Sequence, residues 1–144
     1  MKSRKNAFIL FTLLLTLPLA VATAQNGTVT DIDGNVYQTV VIGDQVWMAE
    51  NLRVSKYRNG DPIPNVTSNA EWTNLTTGAW AHYNNDSSFE IPFGKIYNGY
   101  VATDFRGICP QGWHVPTDVE WTVMSDQLGG ASVAGGKLKA TGTK

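Results

Sequence analysis

Turn-forming residues recur so closely between positions 28 and 50 that only short strands fit between them. Asp33-Gly34-Asn35 and Gly43-Asp44 divide this segment into three runs rich in Val, Ile, Tyr and Trp, and such turns reverse the chain between neighbouring antiparallel strands. A meander is expected, with strands at Thr28 to Ile32, Val36 to Ile42 and Gln45 to Glu50. In the middle run Val36, Gln38, Val40 and Ile42 alternate with Tyr37, Thr39 and Val41, which predicts a strand covered at least partly on both faces.

Residues 53–78 carry Asn59-Gly60, Asp61-Pro62, Pro64 and a Thr/Asn-rich stretch, predicting long surface loops anchored by Trp72 and Leu75. β-like runs resume at Gly78 to Tyr83 and at Lys95 to Val101. The glycines and prolines between Gly107 and Pro116 exclude regular helix. Helix starts immediately afterwards, because Thr117-Asp118-Val119-Glu120 forms a capping box in which threonine and glutamate each satisfy a free backbone N–H. Val119, Val123, Met124 and Leu128 then recur at helical spacing, and Gly129-Gly130 supplies a left-handed C-cap. The spacing predicts a helix over 118–128. A weaker turn is expected from Ser132 to Lys139, where Gly135-Gly136 costs about 1 kcal/mol per glycine.

The chain has 144 residues, enough for one modest domain and too few for a multidomain enzyme. Charged residues make up 16% against a usual share of about 25%, so charge-driven disorder is not expected. The net charge is −1, with no basic run beyond the first five residues, so nucleic acid is excluded as a partner. Lys2, Arg4 and Lys5 precede an apolar run from Ala7 to Leu19 and the small-residue site Ala22-Thr23-Ala24, the order of a secretory signal cleaved after Ala24. The apolar run is about 13 residues against the roughly 20 that span a bilayer. Residues 25–144 are therefore expected to form one mildly acidic domain that is secreted or held at the cell surface, with no membrane span after cleavage.

Export implies an oxidising compartment, yet Cys109 is the single cysteine. It is a buried apolar residue, a free thiol, or half of a bridge whose partner lies elsewhere. Cys109 and His114 as nucleophile and base lack a third orienting group, and two histidines with one cysteine fall short of a structural zinc set. No catalytic residue and no cofactor is assigned. Asp31, Asp33 and Asn35 have the i, i+2, i+4 spacing of a calcium loop, but the glycine stands fourth rather than sixth, and a turn is the preferred reading. Asp118 and Glu120 are accounted for by the helix start.

Five tryptophans and five tyrosines exceed what a small core needs. Trp47, Trp113 and Trp121 sit in compact motifs and are expected in the core. Trp72, Trp80 and Tyr83, with Asn84, Asn85 and Asp86, lie among polar loop residues and form the candidate platform for a glycan or a partner. His82 is expected as a partly exposed strand residue.

Three blocks, Asp31 to Val40, Ile42 to Leu52 and Gly107 to Trp121, resemble the Fibrobacter succinogenes major paralogous domain, as do Tyr83-Asn84-Asn85-Asp86 and Gly94 to Asn98. The resemblance implies an α+β, C-type-lectin-like fold with short antiparallel strands, long loops and one clear helix, in exported or surface proteins of fibre-degrading and gut bacteria. The residues themselves give Cys109, Trp113, Thr117 and Glu120 structural roles. The resemblance also implies further strands and a late cysteine beyond Lys144, so the domain is expected to be truncated at its C-terminus and Cys109 to lack its bridge partner. The expected function is a non-enzymatic binding module for polysaccharide or a surface protein. The alternatives are a structural interaction module without sugar affinity and a degenerate relative of a formylglycine-generating or carbohydrate-active enzyme.

Overall fold

The computed structural model describes residues 27–139; the expected signal segment, residues 1–24, lies outside them. Strands β1 (Thr28–Thr30), β2 (Val36–Ile42) and β3 (Gln45–Met48) form the meander, antiparallel and in the order β1-β2-β3. Val29 stands opposite Tyr37 and Val40 opposite Trp47. Tyr37 and Thr39 point inward and are buried while Val36 and Gln38 are exposed, so only the second half of β2 is partly covered on both faces.

The first turn is held by one carboxylate. Asp31 Oδ1 accepts from the backbone N–H groups of Asp33 and Asn35 at 3.0 and 2.9 Å. Its Oδ2 accepts from Asn35 Nδ2 at 2.9 Å and from the Tyr37 hydroxyl at 2.6 Å. Asp33 reaches outward instead, accepting from the Ser55 N–H and hydroxyl at 2.6 and 2.7 Å and pairing with Lys56 Nζ at 2.9 Å. Burial pushes the Asp33 carboxyl up, but these donors outweigh it and hold the group below the ordinary range.

The segment beginning at residue 53 corrects the sequence expectation. It is largely irregular, yet Val54, Tyr57 and Ile63 join Val101 and Ile108 as the main buried cluster, with Leu52, Trp80, Tyr97 and Cys109 packed against it. The loop is folded inward by its own pairing: Lys56 bridges Pro62 in antiparallel fashion, and Ile63 N–H donates to Ser55 O at 2.8 Å. The expected surface loop thus supplies much of the core, which satisfies its backbone groups as burial demands.

Short elements complete the frame. Helix α1 (Asn69–Thr73) is capped by Ser68. β4 (Trp80–Ala81) pairs antiparallel with β5 (Ile96–Tyr97), and between them lie two 3₁₀ turns and α2 (Glu90–Phe93). The run expected from Gly78 to Tyr83 is therefore only two residues of strand, because Asn84 and Asn85 take left-handed backbone angles (φ 52° and 57°) and turn the chain. His82 stands at the position before the first of these turns, with no side-chain capping bond, rather than within a strand. The run from Lys95 to Val101 changes at Asn98, whose side chain caps α3 (Gly99–Ala102).

Helix α4 (Asp118–Gln127) carries the complete capping box, and Gly129 and Gly130 both have positive φ beyond its C-cap. α5 (Ala131–Lys137) follows as the second helical turn. The architecture is α+β, and among the described residues no helix is long and apolar enough to cross a membrane.

Candidate functional site

The apolar positions that recur along α4 do not form one buried face. Met124 is buried, whereas Val119 is 72% exposed and Val123 41%. Nor are the three motif tryptophans core residues: Trp47 and Trp113 are half-buried, and Trp121 is 49% exposed. All three line one cavity of about 750 Å³ between β3, the loop from Cys109 to Pro116, and the start of α4.

Each wall has a local cause. The β2–β3 hairpin presents Trp47, whose Nε1–H donates to Gln45 Oε1 at 3.2 Å. Gln45 Nε2 donates in turn to Glu120 O at 3.3 Å, and the Trp47 and Trp121 rings meet at 4.9 Å, so α4 is tied to β3 at two points. Trp113 is set by Arg58, which donates from Nε to Cys109 O at 2.9 Å and from its terminal nitrogen to Trp113 O at 3.2 Å. Gly107 permits this close approach: its φ is +69°, and a Cβ there would stand 2.9 Å from the Arg58 guanidinium.

The titratable groups in the cavity serve the fold. Glu120 accepts from the Thr117 N–H and hydroxyl, each at 2.8 Å, and meets His114 Nε2 at 2.7 Å. These contacts hold its carboxyl down at about 2. Burial pushes the Cys109 thiol up, countered in part by Arg58. His114 is thus engaged with Glu120, and no bond joins it to Cys109 among the described residues.

The platform foreseen around Trp80 is not assembled as one surface. Trp80 faces inward, with Nε1–H donating to Ile63 O at 2.9 Å and Lys95 Nζ lying 4.7 Å above its ring. Lys95 is itself held by Glu90 at 2.9 Å and by Arg53 O at 2.6 Å, and Glu90 also meets His82 at 2.7 Å. Tyr83 instead packs with Phe89 and Phe93 at 5.5 and 5.4 Å. Trp72 sits on α1, and among the described residues no ring contact joins it to Trp80 or Tyr83. Asn85 donates to Thr67 O at 2.9 Å, Asn84 supplies the left-handed turn, and Asp86 caps the next turn through the Ser88 N–H at 2.8 Å. At Asp31 and Asp33 the carboxylate oxygens are engaged by protein donors, and no group of three or more metal-ligating acidic, histidine or cysteine residues occurs among the described residues.

Every residue that lines the cavity falls between Gln45 and Trp121. That whole interval lies within residues 40–144, which match the model of the family described as the Fibrobacter succinogenes major domain. The chain belongs to this family. No curated protein and no solved structure matches the chain. Within this Fibrobacter succinogenes major domain, two of the blocks that carry the resemblance, Ile42 to Leu52 and Gly107 to Trp121, are the two that face each other across the cavity. Sequence reasoning found these residues and assigned them to the core; the signal it lacked was what covers them.

Proposed function

We propose that this chain is an exported, non-enzymatic binding module of the cell surface, C-type-lectin-like in fold, that binds through the tryptophan groove. The observation that carries the reading is the gathering of Trp47, Trp113 and Trp121 around one open cavity of about 750 Å³. A domain this size gains most by closing its large aromatic side chains inside, at about 25 cal/mol per Å² of apolar surface covered. Three tryptophans left on a groove make that gain available to a partner. The N-terminal order of basic, apolar and small residues supports export.

A protein partner fits the predominantly apolar lining, which includes Val46, Met48, Leu52, Ile108 and Val115. A glycan is the second reading, favoured by Gln45, Glu50 and Asn51 in the lining of the same cavity, since a sugar ring presents an apolar face and a rim of hydroxyls.

Titration of tryptophan fluorescence in the full chain tests the reading, with cellohexaose and xylohexaose as one probe set and short β-strand peptides as the other. Binding of either set is expected to be lost in Trp113→Ala and retained in Trp72→Ala, both checked for folding by near-UV circular dichroism. A folded chain that binds neither set, or binds equally well without Trp113, overturns it.

A further inference from the structure

We infer that Asn59–Gly60 is a deamidation site held shut by Asp61 and Arg106, and that its conversion to an acid is a one-way latch, which proceeds when the turn at residues 57–61 opens and then opposes its closing.

The chemistry needs only the chain and water. An asparagine followed by glycine is open to attack on its side chain because glycine has no Cβ to shield its backbone nitrogen. The Gly60 nitrogen gives its proton to solvent base and bonds to Asn59 Cγ; the Cγ–Nδ2 bond breaks, ammonia leaves, and a succinimide ring closes. Water then opens the ring at either carbonyl, giving aspartate or, with the backbone rerouted through Cβ and Cγ, isoaspartate. An amide and a water become an acid and an ammonia, with no change of oxidation state. Asn59 and Gly60 are both exposed, and a Cβ built on Gly60 would meet nothing within 4 Å, so water and base reach the pair.

The closed turn resists this step at each reacting group. Gly60 N–H donates to Tyr57 O at 2.8 Å, and Tyr57 N–H to Asp61 O at 2.9 Å. Asn59 Oδ1 accepts from the Asp61 N–H at 3.0 Å while its Nδ2 donates to Asp61 Oδ2 at 2.9 Å, so the carboxamide is pinned on Asp61. Arg106 donates to the same Oδ2 at 3.1 Å, and is itself fixed by Asp104 at 2.7 Å and by stacking 3.8 Å above the buried Tyr57 ring. Asn59 and Arg106 together hold the Asp61 carboxyl below the ordinary range. Attack therefore waits on local opening of the turn.

Asn98–Gly99 is the internal contrast. Its carboxamide is half-buried and tied to three separate points, accepting from the Ala79 and Val101 N–H groups at 3.3 Å each and donating to Thr77 O at 2.8 Å. Asn59 depends on Asp61 alone.

Conversion reverses the sign of the hold. In the aspartate product a carboxylate oxygen takes the place of Nδ2, 2.9 Å from Asp61 Oδ2, and sets like charges against each other. The isoaspartate product adds a backbone carbon to a turn whose ends are bridged at Lys56 and Pro62. Tyr57 and Ile63 on either side belong to the main buried cluster, so the latch acts on a segment that supplies the core.

The test incubates the full chain at pH 8, folded and in urea, and follows Asn59 and Asn98 by peptide mapping with mass spectrometry. Asn59 is expected to convert in both states, about tenfold or more slowly in the folded chain. Asp61→Ala removes the partner of Nδ2 and is expected to raise the folded rate about fivefold while leaving the urea rate unchanged. Asn59→Asp stands in for the product and is expected to speed hydrogen exchange over residues 57–61 while β1 and β2 stay protected. Equal rates folded and in urea, or a folded rate that Asp61→Ala leaves unchanged, overturn the hold. Faster conversion of Asn98 than of Asn59 in the folded chain overturns the site, and exchange over 57–61 that is the same in Asn59→Asp as in wild type overturns the latch.

Discussion

The Trp47 and Trp121 rings meet with centroids 4.9 Å apart and planes inclined by 48°, joining β3 to α4. The bond from Gln45 to Glu120 O and the Gln127 side chain against Gly43 also join the helix to the hairpin. Trp121→Ala is therefore expected to cost about 1 kcal/mol from the lost ring pair and to release α4 before the sheet. Hydrogen exchange checks this: protection falls over residues 118–127 and persists in β1 and β2. Unchanged protection in α4 would place its docking on Met124 instead.

The helix start depends on Thr117, whose hydroxyl caps the Glu120 N–H and whose own N–H is bonded by Glu120. Thr117→Ala is expected to cost about 1 kcal/mol at neutral pH. The capping contacts also depress the Glu120 carboxyl from 4.5 to about 2. A depressed folded-state value means stability that is complete above pH 4.5 and is lost as pH falls toward 2. Asp104 is likewise lowered to about 2, by Arg106, so the decisive quantity is the difference between wild type and Thr117→Ala. That difference should shrink across this window in urea melts, and a constant difference refutes the assignment to Glu120.

The contrast between α4 and the groove shows what the sequence makes legible. A capping box lies within four residues, and its geometry is set by local backbone, so Thr117 to Glu120 announced the helix and Gly129-Gly130 its end. The meander was legible for the same reason, through turns of two or three residues. Burial of Trp47, Trp113 and Trp121 depends instead on what lies across from them, more than sixty residues away along the chain in the case of Trp47 and Trp113, and hydrophobicity alone cannot report it. Val54, Tyr57 and Ile63 were hidden by the opposite error. Their Asn, Asp and Pro neighbours mark turns, yet those turns serve to fold three apolar side chains inward.

The Tyr37 hydroxyl is a buried relay, donating to Asp31 Oδ2 at 2.6 Å and accepting from the Arg53 N–H at 2.9 Å. Tyr37→Phe leaves that N–H without its acceptor in a buried setting, at a cost of about 1–3 kcal/mol. Tyr97 is the natural control, since its hydroxyl only donates, to Val54 O at 2.6 Å. Tyr97→Phe is expected to cost less, because a carbonyl tolerates a lost donor better than a buried N–H tolerates a lost acceptor. Chemical denaturation of both variants checks the order, and equal losses would mean that Arg53 N–H finds another acceptor.

Cys109 reports on the groove without any substitution. Cys109 is one of the residues that line the cavity, and burial pushes its thiol above the ordinary 9.0, with Arg58 opposing only in part. Alkylation requires the thiolate, so iodoacetamide is expected to label Cys109 more slowly than a free thiol at pH 8, with a rate that keeps rising beyond pH 9. Cys109 also lines a smaller cavity beside Thr30 to Ile32, so an occupant seated against Trp113 closes the approach from the groove and leaves that second one. Saturating strand peptide should therefore slow labelling of the native chain and leave the urea-denatured chain unaffected. Labelling that is fast at neutral pH would mean an accessible thiolate, whereas labelling indifferent to bound peptide would place the peptide away from this wall of the groove.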